Sequence, residues 1–162
     1  LGRFQCGDVH DQTAAALGGV AGHAGLFGTV ADLAAYARAW LRRGFPILSP
    51  PTVQLATRNL TAGLGGARGL GWQKPPEEPL PARPHSCGEL LSAAAYGHTG
   101  FTGTSLWIDP EKELFIILLT NRLHPVPERK GPDLLALRPA FHNAVVAACI
   151  VRRAERATWG GA

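Results

Sequence analysis

His98, Thr99 and Gly100 stand in a row within YGHTGFTGTS, residues 96–105, and each brings a different capability to one point of the chain. Imidazole is the side chain whose charge changes nearest neutral pH, the threonine hydroxyl both donates and accepts, and the glycine leaves backbone bare for a bound group to approach. The next amide, that of Phe101, is suited to donate to a carbonyl oxygen gaining negative charge, as half of an oxyanion hole. Such a set fits acyl transfer on an ester or amide. A glycine-rich strand entry with a surface histidine is the simpler account of the tripeptide, and on these residues alone it stays open beside the chemical one.

Other chemistries find less support. The histidines at 10, 23, 85, 98, 124 and 142 form no HExxH or His-x-His pair, and only Asp11 beside His10 lies at ligand spacing, so no metal site is expected. Glycine-rich stretches at 18–28 and 63–71 lack the Gly-Lys-Ser or Gly-Lys-Thr of a phosphate loop and read as turns. No cofactor is expected. Arginines at 38, 42, 43, 152, 153 and 156 fall in two helical clusters without interleaved aromatics, which reads as solvated helix faces and not as a nucleic-acid surface. Cys6, Cys87 and Cys149 are odd in number and far apart, which argues for buried thiols over a disulfide framework.

The elements around the tripeptide follow from pattern. A helical turn is expected near 11–17. Thr29 with Asp32 has the form of a capping box, and the apolar spacing of Val30, Leu33, Ala34, Ala37, Trp40 and Leu41 predicts a helix from about 30 to 43, stopped by Gly44. Ser49 before Pro50 and Pro51 starts a short helix running to about 59, and a strand is expected at 69–73. Five prolines in 74–86 mark a surface excursion. Thr104, Leu106 and Ile108 alternate with Ser105, Trp107 and Asp109 as a strand, DPEK turns, and ELFIILLTN is an apolar strand covered on both faces. After a proline-punctuated loop, a last helix should bury Leu134, Leu137, Phe141, Val145, Ala148 and Cys149, with Pro139 near its first turn.

With 162 residues, 46% hydrophobic and 17% charged, the chain is expected to form one globular domain, and its net charge of +4 is mild. No apolar run reaches the roughly 18 residues of a membrane span. A start at Leu1 and the absence of methionine suggest a piece of a longer product. Its compartment, cytoplasmic or exported, stays open.

Residues 96–125 resemble the serine β-lactamase and penicillin-binding-protein superfamily, in its class C-like esterase and D,D-peptidase branch. There Lys-Thr-Gly, or His-Thr-Gly in several members, heads the strand lining the active site, and His98, Thr99 and Gly100 match it residue by residue. FTGTSLWIDPEKELFIILLTNRLHP resembles the family's strand, turn, strand and exit, and GGVAGHAGLFGTVADLAAYARAWL resembles its glycine loop and capped helix. The resemblance implies an α+β fold, an antiparallel sheet with packed helices, with residues 1–162 forming the C-terminal part of the domain. It also implies roles. His98 helps shuttle a proton, Thr99 and Gly100 bind the acyl part of the substrate, Phe101 gives an oxyanion amide, and His23 and Asn121 are candidates for lining the cleft. Histidine in place of lysine favours peptidase, amidase or esterase activity over broad β-lactam hydrolysis.

Two family motifs are absent from the 162 residues. Ser49, Ser86, Ser92 and Ser105 are followed three positions later by Thr52, Glu89, Ala95 and Ile108, so no Ser-x-x-Lys is present. Tyr36 and Tyr96 are followed two later by Arg38 and His98, so no Tyr-x-Asn is present either. The expectation is a chain inactive alone that meets a small-molecule or peptide acyl substrate with an N-terminal half carrying the nucleophile. A non-catalytic ligand-binding module and a truncated product are the alternatives. Strands from that other half would pair the apolar strand ELFIILLTN, whose free edge would otherwise favour association.

Overall fold

The structure, a computed structural model, describes residues 6–76, 85–123 and 134–159, with side chains described as far as Ala154. The centre of the expected proline-rich excursion, 77–84, and the loop at 124–133 with His124 lie outside the described residues. Contacts divide the chain into a small N-terminal unit ending at Leu33 and a larger unit from Ala34 onward.

In the N-terminal unit, α1 (Gln12–Ala16) is capped by Asp11, whose Oδ1 accepts the Ala14 amide at 2.8 Å. The unit ends in the first turn of α2 (Val30–Leu41). Its capping box forms reciprocally: Asp32 Oδ2 accepts the Thr29 amide at 2.9 Å and Thr29 Oγ1 accepts the Asp32 amide at 3.2 Å. Hydrogen bonding to Thr29 holds the Asp32 carboxyl below its usual range.

The larger unit is built on β1 (Tyr96–Thr99), β2 (Ser105–Asp109) and β3 (Leu114–Leu118), an antiparallel sheet in that order. Period-two alternation sends the two sets of side chains to opposite faces, and both faces are covered. Tyr96, Ile108 and Phe115, aligned across the three strands, join Ala37 and Trp40 of α2, Val53 and Ala56 of α3 (Pro50–Thr57) and Trp72. Trp40, Trp72 and Tyr96 meet edge-on with centroids 4.9 to 5.9 Å apart, contacts that add about 1 kcal/mol each beyond their burial. The opposite set, Trp107 and Ile116, packs with Cys87, Leu91 and Ala95 against Val146 of α4 (Leu134–Trp159). Ser49 caps α3, accepting from the Thr52 amide at 3.3 Å.

The turn after β2 has a buried anchor. Asp109 accepts from the Ser92 amide and hydroxyl, both at 2.7 Å, and from the amides of Glu111 and Lys112 at 3.1 and 3.0 Å. Four donors satisfy one carboxylate, which is what lets it sit inside.

Several expectations are corrected. The strand at 69–73 reduces to bridge pairings of Gln73 with Arg68 and Gly97, because glycines at 69 and 71 fold the segment into a tight turn closed by Gly69 N–H to Trp72 O at 2.9 Å. In α4 the buried face is centred on Arg138, His142 and Val146, while Leu137 and Ala148 are exposed. Pro139 falls inside the helix, its carbonyl packed against Gly88. Of the thiols only Cys87 is buried. Burial pushes the Cys87 thiol up to about 12, with His85 Nδ1 at 2.9 Å from its Sγ. α4 is the one described helix long and apolar enough to cross a membrane by length and composition. Here it carries Arg138 and His142 on its inner face.

Candidate active site

β1 ends at Thr99 and the chain reverses over Gly100–Thr104 into β2. Gly100 N–H donates to Thr104 O at 2.8 Å and Gly103 N–H donates to Gly100 O at 3.1 Å, so the reversal is doubly closed. The bare side of Gly100 is turned into the reversal, where a β-carbon would sit 2.2 Å from Thr104 Oγ1. His98 is exposed, and its Nδ1 lies 2.9 Å from Thr99 O. A carbonyl only accepts, so Nδ1 donates to it and Nε2 is the ring nitrogen that this contact leaves over. The Phe101 ring, three residues further on, is exposed.

α4 holds this reversal and the start of β2 through two residues one helical turn apart. Arg138, buried, donates from Nη2 to Gly100 O at 2.5 Å and Thr104 O at 3.1 Å, and from Nε to Gly103 O at 3.3 Å. A planar guanidinium with five N–H groups can serve several carbonyls at once. Burial, then the nearby charge of Arg122, lowers its pKa, and it stays a cation. His142, fully buried, is fixed in tautomer: Nδ1 donates to Ser86 O at 2.8 Å, so Nε2 accepts from Ser105 Oγ–H at 2.9 Å. Ser105 is the residue paired with Thr99 across the two strands.

The segment after β3 also holds the reversal. Arg122 N–H donates to Thr102 O and its Nε to Phe101 O, each at 2.8 Å, and the guanidinium carbon lies 4.7 Å from the Phe101 ring centroid, a cation–π contact. Asn121, exposed, accepts the Leu123 amide on Oδ1 at 3.1 Å and shapes this exit turn. His23 belongs to the N-terminal unit, where Nε2 lies 2.9 Å from Asp11 Oδ1. The Ala14 amide, then His23, holds the Asp11 carboxyl below its usual range. Among the described residues no three His, Cys, Asp or Glu side chains gather as a metal site.

The sequence model of the Beta-lactamase family matches residues 3–140. The chain belongs to the β-lactamase family. Among relatives of this β-lactamase-family chain, the "Putative D-alanyl-D-alanine carboxypeptidase" of Escherichia coli O157:H7 is 36% identical over 135 residues, 79% of this chain and 30% of that protein. Its namesake in Salmonella enteritidis is 37% identical over 130 residues, 76% of this chain and 29% of the relative. The chain thus spans under a third of these proteins' length. A solved β-lactamase from Mycobacterium bovis superposes with a TM-score of 0.64 at 31% identity, covering 78% of this chain and 46% of its own. The helices and three-stranded antiparallel sheet are accordingly part of a β-lactamase-like α+β fold.

Residues 98–101 are contiguous at the end of β1, and Asn121 adjoins them through Arg122. Arg122, Arg138 and His142 are not among the site residues that the sequence points to. The 138, 142, 146 spacing marks one helix face, but two of its members are charged or polar residue types that ordinarily mark a face turned to water.

Proposed function

We propose that this chain supplies the substrate-facing strand and one oxyanion amide of a serine acyl hydrolase acting on ester or amide substrates, with D,D-carboxypeptidase-type peptides as its first class. The observation that carries this is the His98-Thr99-Gly100-Phe101 run at the open end of β1 in a chain of the β-lactamase family. The carboxypeptidase names of its relatives support the choice of substrate. A serine from a segment bearing Ser-x-x-Lys attacks the carbonyl, the developing oxyanion rests on backbone amides including that of Phe101, and Thr99 orients the acyl group. Nε2 of His98, the ring nitrogen that the Thr99 contact leaves over, takes part in proton transfer.

The test joins this chain with a segment bearing Ser-x-x-Lys and follows hydrolysis of an activated ester and a D-alanyl-D-alanine peptide. His98→Ala is expected to lower kcat by about 100-fold, the scale of general acid–base catalysis. Unchanged turnover removes His98 from the mechanism. The absence of Ser-x-x-Lys from the 162 residues favours one rival, a non-catalytic module that holds an acyl ligand. Saturable binding by this chain, with no labelling of the joined pair by a fluorophosphonate, would select that rival.

A further inference from the structure

Ser105 touches a buried imidazole with its hydroxyl and stands opposite the threonine of the site. Gly100 N–H donates to Thr104 O at 2.8 Å, which makes these two a hydrogen-bonded pair, so the next pair, Thr99 and Ser105, is of the non-bonded kind. Gly97, two residues back, spends its N–H and C=O on Gln73 and not on β2, as that alternation requires. Side chains of a non-bonded pair share one face and stand closer together than those of a bonded pair. For Thr99 and Ser105 it is the face on which Trp107 packs against α4.

Ser105 is 4% exposed and His142 fully buried, so protein groups alone decide which way the hydroxyl turns. In the neutral ring Nδ1 donates to Ser86 O and Nε2 accepts the Ser105 proton, and an oxygen whose proton is committed to His142 offers its neighbour lone pairs only. An imidazolium has two donors and no acceptor. It keeps Ser86 O but makes the Ser105 hydroxyl reverse, so that Thr99 meets a donor where a lone pair stood. Among the described residues, the charged or titratable groups around the ring are Arg138 on its own helix and His85 and Cys87 on the 85–87 segment, while β2 brings Ser105 and the Trp107 indole. Arg138 stays a cation and the Cys87 thiol, pushed up to about 12, stays neutral, so of these groups only His142 and His85 change charge near neutral pH and below. Burial, with the charge of Arg138 acting the same way, favours the neutral ring of His142.

We infer that His142 is a positioning residue for Thr99: through Ser105 its neutral ring fixes the hydroxyl beside Thr99 as an acceptor, and protonation of the ring reverses that hydroxyl and weakens the hold on the acyl group. The inference rests on the acyl-transfer reading above, in which Thr99 orients the acyl group, and deepens it. His142 touches no reacting atom in this role.

The experiment follows KM from pH 7.5 to 5 for an activated ester with an uncharged acyl group, in the joined hydrolase, unmodified and carrying His142→Gln, Ser105→Ala or His85→Gln. KM is independent of how much of a variant folds, and the ester does not titrate. In the unmodified pair KM is expected to rise by about tenfold as the pH falls, separately from the fall in kcat that protonation of His98 brings. His142→Gln offers Ser105 Oγ–H an acceptor that does not titrate, and is expected to hold KM within about twofold over the same range. Ser105→Ala removes the hydroxyl itself. It is expected to lose the pH dependence as well, from a KM about fivefold higher at pH 7.5, and it carries the test should His142→Gln yield no active protein. The ring of His85 meets Cys87 and Trp107, so His85→Gln is expected to keep the unmodified profile. A KM that is flat with pH in the active unmodified pair, a rise that survives both His142→Gln and Ser105→Ala, or one that vanishes with His85→Gln overturns the positioning role alone. An unmodified pair that neither hydrolyses the ester nor takes up a fluorophosphonate overturns the acyl-transfer reading, and the positioning role with it.

Discussion

Trp107 lies across Gly97 on the neighbouring strand so closely that a β-carbon on Gly97 would fall 2.4 Å from the indole Cδ2 and 2.4 Å from Leu106 O. The two are register partners, and the fully buried indole fills the space that a side chain would need. Gly97→Ala is therefore expected to destabilise the larger unit by at least the 1–3 kcal/mol usual for overpacking, about the upper end, since one of the crowded atoms is backbone and cannot move aside. A urea titration followed by tryptophan fluorescence reads this as a lowered midpoint at unchanged slope. An unshifted midpoint would mean that the indole can leave Gly97 at little cost.

Much of this arrangement is legible in the sequence. Thr29 with Asp32, Ser49 before two prolines, and the alternation through Leu106, Trp107 and Ile108 all act locally, over three or four residues, and each forms the element expected of it. The gripping of the reversal by Arg138 is not local. It joins residues more than thirty positions apart, and it depends on carbonyls, which every residue has and no residue type advertises. The rotated face of α4 fails for a related reason. A buried arginine and a buried histidine are acceptable only because Gly100, Gly103, Thr104, Ser86 and Ser105 satisfy them, and that satisfaction is a property of the folded chain.

Buried neutral histidine gives the larger unit an acid limb. Burial lowers the pKa of His142 below its ordinary 6.5, with the charge of Arg138 acting in the same direction, and burial lowers that of His85 as well. Between each depressed folded value and 6.5 the unfolded chain binds more protons than the folded one, so stability rises with pH in that window and falls as the solution is acidified. Each histidine contributes a slope of at most about 1.4 kcal/mol per pH unit. Denaturant midpoints measured from pH 7.5 down to 5 are expected to decline below about 6.5, and His142→Gln is expected to flatten that decline while lowering stability at neutral pH. A variant with the same acid slope as the original would show that His142 titrates alike in both states.

The edges of the sheet are treated differently. On β1 the Gln73 bridge occupies Gly97, with Gln73 N–H to Gly97 O at 2.7 Å and Gly97 N–H to Gln73 O at 2.9 Å. Among the described residues β3 pairs with β2 alone, and its run LFIIL carries no charge. An uncharged, apolar strand with one open ladder is a template for another chain. This chain, expressed without a nucleophile-bearing segment, is accordingly expected to self-associate through β3, with a weight-average mass in sedimentation that rises with concentration. Ile117→Lys places a charge within that strand, in register with Leu106. It should shift the distribution toward monomer, at a cost in stability because Ile117 is partly buried. A strictly monomeric original with a sharp thermal transition would overturn this, because an edge that needs no partner cannot be the one through which the chain associates.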